Sequence, residues 1–254
     1  MSKPKSDIVT VWIRLSTLKK LLLGVCLLFV FVAIATYDVP TENTTKYWSL
    51  PLAGKVIVLD AGHGGVDGGA VSRQGVIEKD INLAITLYLR DYLQEAGAVV
   101  RVTREGDYDL ASPDTKGYSR RKTEDLKQRV KVIEDQQANL FVSVHMNSIP
   151  SNRWRGAQVF YYPNHPDNAN LANLMQEEMK RNLENTDRIA KTVNTVYLLR
   201  ALKIPAALVE VGFLSHEEEA TLLKDVEYQR KVAASIYKGI LRYASGEKIQ
   251  VSSE

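Results

Sequence analysis

A chain of 254 residues with 45% apolar and 25% charged side chains carries enough apolar material for one sizeable core, which excludes a disordered class. Its formal charge of +3 is gathered at the start: five of the 33 Lys and Arg but one of the 30 acids fall in residues 1–37, leaving 28 basic and 29 acidic side chains in the rest. A near-neutral body lacks the basic footprint of a nucleic-acid binder, and with Cys26 as the single cysteine no disulfide can form within the chain.

Residues 21–37 read LLLGVCLLFVFVAIATY, without a charge, after Lys3, Lys5, Arg14, Lys19 and Lys20. Basic residues ahead of an apolar run predict an export segment. Its length is at the lower limit for spanning about 30 Å of hydrocarbon, and Lys19 and Lys20 would keep the N-terminus cytoplasmic and place the rest outside. Ala33 and Ala35 form an A-x-A-like cleavage site, so a retained anchor and a removed signal peptide both fit residues 1–37. Cys26 lies mid-run as a small apolar residue. Polar residues 38–53, with Pro40 and Pro51, read as a linker.

Beyond the linker, KVIVLD (55–60) predicts a buried strand, and a glycine-rich loop follows over 62–69. Residues 80–94 have helical apolar spacing, ended by Gly97, and 98–103 read as a strand. Residues 104–123 read as a long polar loop in which Thr115 to Lys122, with Arg120 and Arg121, could form a basic rim or merely solvated charge. A helix over 125–136 feeds a strand over 140–145, another strand covers 158–162, and 167–183 repeats Leu171, Met175, Met179 and Leu183 along one helix face. AALVEV (206–211) predicts a strand, Ser215 with Glu218 a capping box, and 228–243 a last helix. Strands separated by helices predict a single α/β domain over 54–245, with a twisted, mostly parallel sheet flanked by helices on both faces and a polar tail over 246–254.

In such sheets ligands gather beyond the carboxyl ends of the strands. His63 follows the first predicted strand, His145 ends the third, and Glu210 lies in the last among apolar neighbours. The loop LDAGHGGVDGGA has neither the spacing of a P-loop nor that of a dinucleotide fingerprint. Glu78 fits both a helix-start acid and a ligand, and His145 both a hydrogen-bonded core histidine and a ligand. Glu210 faces water or holds a costly buried charge for a purpose. Two imidazoles and one carboxylate suit Zn²⁺ and leave a fourth position for water.

The stretches LDAGHGG with DGGA, EKDINLAITLYLRDYL opening at Glu78, VTRE, LFVSVHMNS and PAALVEVGFLSHEEE resemble, in order and over about 54–244, the amidase-3 family of zinc N-acetylmuramoyl-L-alanine amidases. WSLPLAGK, TKGYSRRK, RNLENT and SIYKGILRYAS resemble its germination-specific branch from endospore formers. The resemblance implies one Zn²⁺ per chain held by His63, Glu78 and His145, a catalytic Glu210, and cleavage of the amide between muramic acid and L-alanine. Asn147 and Arg129 are weaker candidates for substrate contact or site support. Ser148 and His216 depart from the family's usual Ala and Asn, and His216 reads as a surface residue of a capping turn. The implied setting is spore cortex maturation, leading to muramic-δ-lactam, at the outer face of the cytoplasmic membrane between forespore and mother cell. Expected partners are peptidoglycan strands with stem peptides and the membrane through the N-terminal segment, with no nucleic acid; an accessory envelope protein is left open. A zinc peptidase or carboxypeptidase on the same polymer, a non-catalytic wall-binding module and a structural envelope protein are the competing classes.

Overall fold

The computed structural model describes residues 14–36 and 50–249, and the chain divides into two units, Met1–Ser49 and Leu50–Glu254. In the first, helix α1 (Leu15–Thr36) begins ahead of the uncharged run and takes in Lys19 and Lys20. Its 22 residues extend about 33 Å at 1.5 Å per residue. The window Leu15–Ile34, of mean hydropathy 2.3, is long and apolar enough to cross a membrane. Residues 38–49 of the expected linker and 250–254 of the tail lie outside the described residues.

The second unit runs through β1 (Val56–Ala61), α2 (Glu78–Glu95), β2 (Val99–Val102), α3 (Tyr118–Asp135), β3 (Leu140–Asn147) and β4 (Gln158–Tyr161). It continues with α4 (Asn168–Leu183), β5 (Lys191–Thr192), α5 (Tyr197–Ala201), β6 (Ala206–Phe213), α6 (Glu217–Leu222) and α7 (Val226–Ala244). The strands form one sheet in the order β2-β1-β3-β6-β4-β5. All neighbouring pairs are parallel except β4 with β6, which is antiparallel. Parallel neighbours need long crossovers, and the helices between strands supply them.

Alternate residues of each strand feed two cores, because successive side chains point to opposite faces. Ile57, Leu59, Val142, Val144 and Val209 pack with Ile85 and Leu89 of α2, Met175 of α4 and Ile236 of α7. Val58, Phe141 and Leu208, one residue out of phase, pack with Ile133 of α3 and Leu199 of α5. The sheet is thus covered on both faces, and its polar residues collect where β1, β3 and β6 end.

Helix α3 starts at Tyr118 rather than at 125, so Arg120, Arg121 and Lys122 lie on its first turns and not on a loop. Those turns carry no apolar stripe because polar bonds hold them: Arg121 Nη2 donates to Asp109, and Tyr118 and Lys122 both reach Asp67. The cap of α6 is also shifted by one residue. His216, not Ser215, accepts from the Glu219 backbone N–H, while Ser215 Oγ accepts from Ile149 N. Leu52, in the stretch read as linker, is buried and its N–H donates to Ala96 O at 3.0 Å.

Candidate metal and catalytic site

The site starts where β1 runs out. His63 takes φ +64°, a left-handed conformation uncommon for a residue with a Cβ and worth of order 1–2 kcal/mol in strain. Two fully buried arginines hold the turn in that shape. Arg104 donates to the carbonyls of Ala61, Gly62 and His63 at 2.7–3.0 Å, and Arg129 to those of Ala61 and His63 at 2.9 and 2.7 Å. Arg129 is itself fixed by Asp60 at 2.6 Å and Asp125 at 2.8 Å. Burial disfavours the charge on Asp60, but Arg129, His145 and the hydroxyls of Ser143 and Thr103 outweigh that and hold its pKa down to about 2.

Glu78 is the first residue of α2, whose leading N–H groups are met by the loop before it: Glu78 N donates to Ala70 O and Lys79 N to Gly68 O. Its side chain turns inward. Oε2 accepts from Ala70 N at 2.8 Å, and Oε1 accepts from Met146 N at 3.0 Å and from Asn82 Nδ2 at 3.3 Å. His63 Nε2 and His145 Nδ1 stand 3.2 and 3.1 Å from that same Oε1. Donor atoms of all three residues lie within 4.8 Å of one another.

A tetrahedral ion bound at about 2.0–2.1 Å sets its ligand atoms roughly 3.3 Å apart, so nitrogens at 3.1–3.2 Å from a shared carboxylate oxygen match the edges of such a set. Two close approaches make the cluster possible. A Cβ on Gly62 would lie 2.3 Å from the His145 ring. One on Gly69, where φ is +69°, would meet Glu78 Oε2 at 2.6 Å and the His63 ring at 2.8 Å. Only glycine tolerates that backbone and that proximity. The residues present fit a small divalent cation.

Asp67 completes the surroundings of His63, accepting from Nδ1 at 3.0 Å, from Lys122 Nζ at 3.0 Å and from Tyr118 Oη at 2.9 Å. That bond leaves Nε2 facing Glu78, as an outer carboxylate does for a ligating histidine. Burial alone would lower the His63 pKa, but the hydrogen bonds to Asp67 and Glu78 raise it to about 9. Against the cost of burial, His145 and His63 hold the Glu78 carboxyl well below its ordinary range. The pocket therefore demands positive charge.

Glu210 lies across from His145 in the β3–β6 register. Its Oε2 is buried without a hydrogen-bond partner. Burial pushes its pKa up to about 7; His145 and His63 oppose the rise and Glu78 adds to it. A cavity of roughly 310 Å³ joins Glu210 to His63, Glu78 and His145, with Leu126, Tyr197 and Leu208 as an apolar wall. His63 and His145 keep 16% and 22% of their side chains exposed, enough for a ligand to reach them.

Residues 57–242 fit the N-acetylmuramoyl-L-alanine amidase family, Amidase_3. This chain is a member of that family. It is 54% identical over 230 residues to the germination-specific N-acetylmuramoyl-L-alanine amidase of Bacillus subtilis, covering 91% of this chain and 95% of that one. A solved structure of the CwlD amidase from Clostridioides difficile, in complex with the GerS lipoprotein, superposes with TM-score 0.74 at 43% identity over 76% of this chain and all of that one. The catalytic domain of CwlV from Paenibacillus polymyxa gives TM-score 0.64 at 35% identity, over 76% of this chain and 99% of that one. The chain is accordingly an N-acetylmuramoyl-L-alanine amidase acting on peptidoglycan.

Of the amidase residues expected from sequence, His63, Glu78, His145 and Glu210 meet at one cavity. Arg129 sits beneath it, its donors taken up by Asp60, Asp125 and two carbonyls. Asn147 lies past a bulge after His145, its side chain half-buried and without a hydrogen bond among the described residues. Sequence reasoning missed Asp67, Asn82 and Arg104. Asp67 and Asn82 had a signal, since each stands four residues after an expected ligand, His63 and Glu78; Arg104, though it lies in the VTRE stretch, bonds carbonyls 41 to 43 residues away, and no spacing marked that role.

Proposed function

We propose that this amidase is zinc-dependent, with His63, Glu78 and His145 as the protein ligands and Glu210 as the proton-transfer group. The observation that carries the reading is the convergence of two imidazole nitrogens on one Glu78 oxygen beside the orphaned Glu210 carboxylate. Zinc, when bound there, supplies Lewis acidity that polarises the scissile carbonyl and makes water easier to deprotonate. Glu210 takes the proton from the attacking water and passes it to the departing L-alanine amine, a double duty suited to a pKa near neutrality. Asp67 keeps His63 Nε2 turned toward the ligand position. Arg104 and Arg129 hold the His63 turn so that little reorganisation accompanies the reaction.

The biological setting we infer is spore cortex maturation, in which removal of stem peptides prepares muramic acid for conversion to muramic-δ-lactam. Support comes from the 54% identity to a germination-specific relative. The apolar α1 supports placement at the outer face of the cytoplasmic membrane, in the space between forespore and mother cell, as anchor or cleaved signal. The GerS complex of the C. difficile protein supports an accessory envelope protein for this chain too. Purified peptidoglycan incubated with the protein, with and without chelator and with zinc restored, tests the chemistry by mass spectrometry. Release of peptides beginning with L-alanine, stopped by chelator, is expected; shortening of the peptides at their far end would replace the amidase by a carboxypeptidase. Cortex from spores lacking the protein should contain no muramic-δ-lactam.

A further inference from the structure

On the side of β6 away from His63 and His145, Gln158 opens β4 directly across from Glu210. Directly opposed residues of an antiparallel pair project to the same face with Cβ atoms about 5 Å apart, so Gln158 stands beside Glu210. Both ends of its buried amide are taken by one segment: Nε2 donates to Ile189 O at 2.9 Å, and Oε1 accepts from Arg188 Nη1 at 3.0 Å. Arg188 Nε donates to Arg155 O at 3.0 Å, and the guanidinium lies 4.9 Å from the Phe213 ring centroid and 5.5 Å from that of Trp154.

Two aromatic rings and two hydrogen bonds fix the guanidinium plane and leave Nη2 as the unengaged edge. Among the described residues, Arg188 has no acidic partner. A planar cation held still, with one edge free of partners among the described residues, matches a carboxylate better than any other group a peptide offers. The strand order gives the direction. From β1 through β3, β6 and β4 the sheet presents His63, His145, Glu210 and then Gln158 with Arg188, in steps of about 4.8 Å. If Glu210 protonates the leaving amine, the peptide side of the scissile bond extends toward Arg188, and one further residue adds about 3.5 Å.

We propose that Arg188 forms a subsite for a free carboxylate carried by the stem peptide next after its L-alanine, so that the amidase distinguishes a γ-linked glutamyl residue from its carboxamide, isoglutamine. This rests on the assignment of Glu210 above. The test compares two synthetic substrates, N-acetylmuramoyl-L-alanyl-γ-D-glutamyl and N-acetylmuramoyl-L-alanyl-D-isoglutaminyl peptides, with the full-length chain in detergent. The wild type should prefer the carboxylate by roughly 10- to 100-fold in kcat/KM, the range of a charge-assisted hydrogen bond pair. Arg188→Gln should bring the ratio near unity by slowing the carboxylate substrate alone, with the carboxamide rate as its folding control, and Arg188→Lys should keep part of the preference. Equal wild-type rates on the two substrates, or an equal slowing of both by Arg188→Gln, would overturn the subsite while leaving the amidase mechanism in place. Undiminished release of the L-alanine amine by Glu210→Gln on these substrates would instead remove the Glu210 assignment, and the subsite with it.

Discussion

Glu210 combines two properties that rarely coexist in a carboxylate: it is buried without a partner, yet it opens on a cavity. General catalysis by one such group is worth about 100- to 10,000-fold. Glu210→Gln should therefore keep stoichiometric zinc, measured by atomic absorption, and lose turnover by that factor; a variant with wild-type rates would transfer the role elsewhere. The raised pKa also fixes a sign for stability. With an ordinary value of 4.5 unfolded and about 7 folded, Glu210 is neutral in both states at low pH, and its stabilising proton is lost as pH rises through 7. Above that, holding the ionised group costs on the order of 3 kcal/mol. Chelator-treated Glu210→Gln should thus be more stable than chelator-treated wild type to urea at pH 8, with the gap closing below pH 4.5. Asp67 acts on the same site indirectly. Asp67→Asn weakens the bond that turns His63, and zinc affinity in a chelator competition should fall about 10- to 100-fold, the usual effect of losing an outer carboxylate.

At the scale of elements, the loop between β1 and α2 does the assembling, because it carries His63, Asp67 and the glycine beneath Glu78. Gly69→Ala asks that loop to accept a Cβ 2.6 Å from Glu78 Oε2 at a backbone φ of +69°. Since the strain falls beside the cluster and the cores on both sheet faces are untouched, circular dichroism should stay native while zinc binding and activity are lost. A variant binding zinc normally would show that the loop is more pliant than its contacts imply. The same loop marks what sequence could reveal. His63, His145 and Glu210 were legible because strand ends are where α/β sheets gather ligands and because each is polar in an apolar or glycine-rich setting. The sheet and its large helices were legible from apolar period. The first turns of α3 were not, since Tyr118, Arg121 and Lys122 are held by ion pairs and hydroxyl bonds that leave no apolar stripe. The two-residue β5 and five-residue α5 are too short for any periodic signal, although Tyr197 and Leu198 of α5 line the cavity.

At the scale of the whole molecule, charge and hydropathy are divided between the two units. The body after residue 37 has 28 basic and 29 acidic side chains, so it has no net electrostatic pull toward an anionic lipid surface. The apolar α1, at about 33 Å, is the described segment that matches the thickness of a bilayer core. Membrane association should therefore depend on α1 alone and be hydrophobic in kind. The full-length chain, expressed with its N-terminus intact, should stay in the membrane pellet through high-salt and carbonate washes and leave it only with detergent. A chain beginning at Leu50 should be soluble and cleave small muropeptides with unchanged kcat/KM, because the cavity and every residue assigned to it lie in the second unit. Recovery of the protein in the salt wash, with its mass reduced by the first 35 or so residues, would mean instead that the segment is removed after export at the Ala33–Ala35 site.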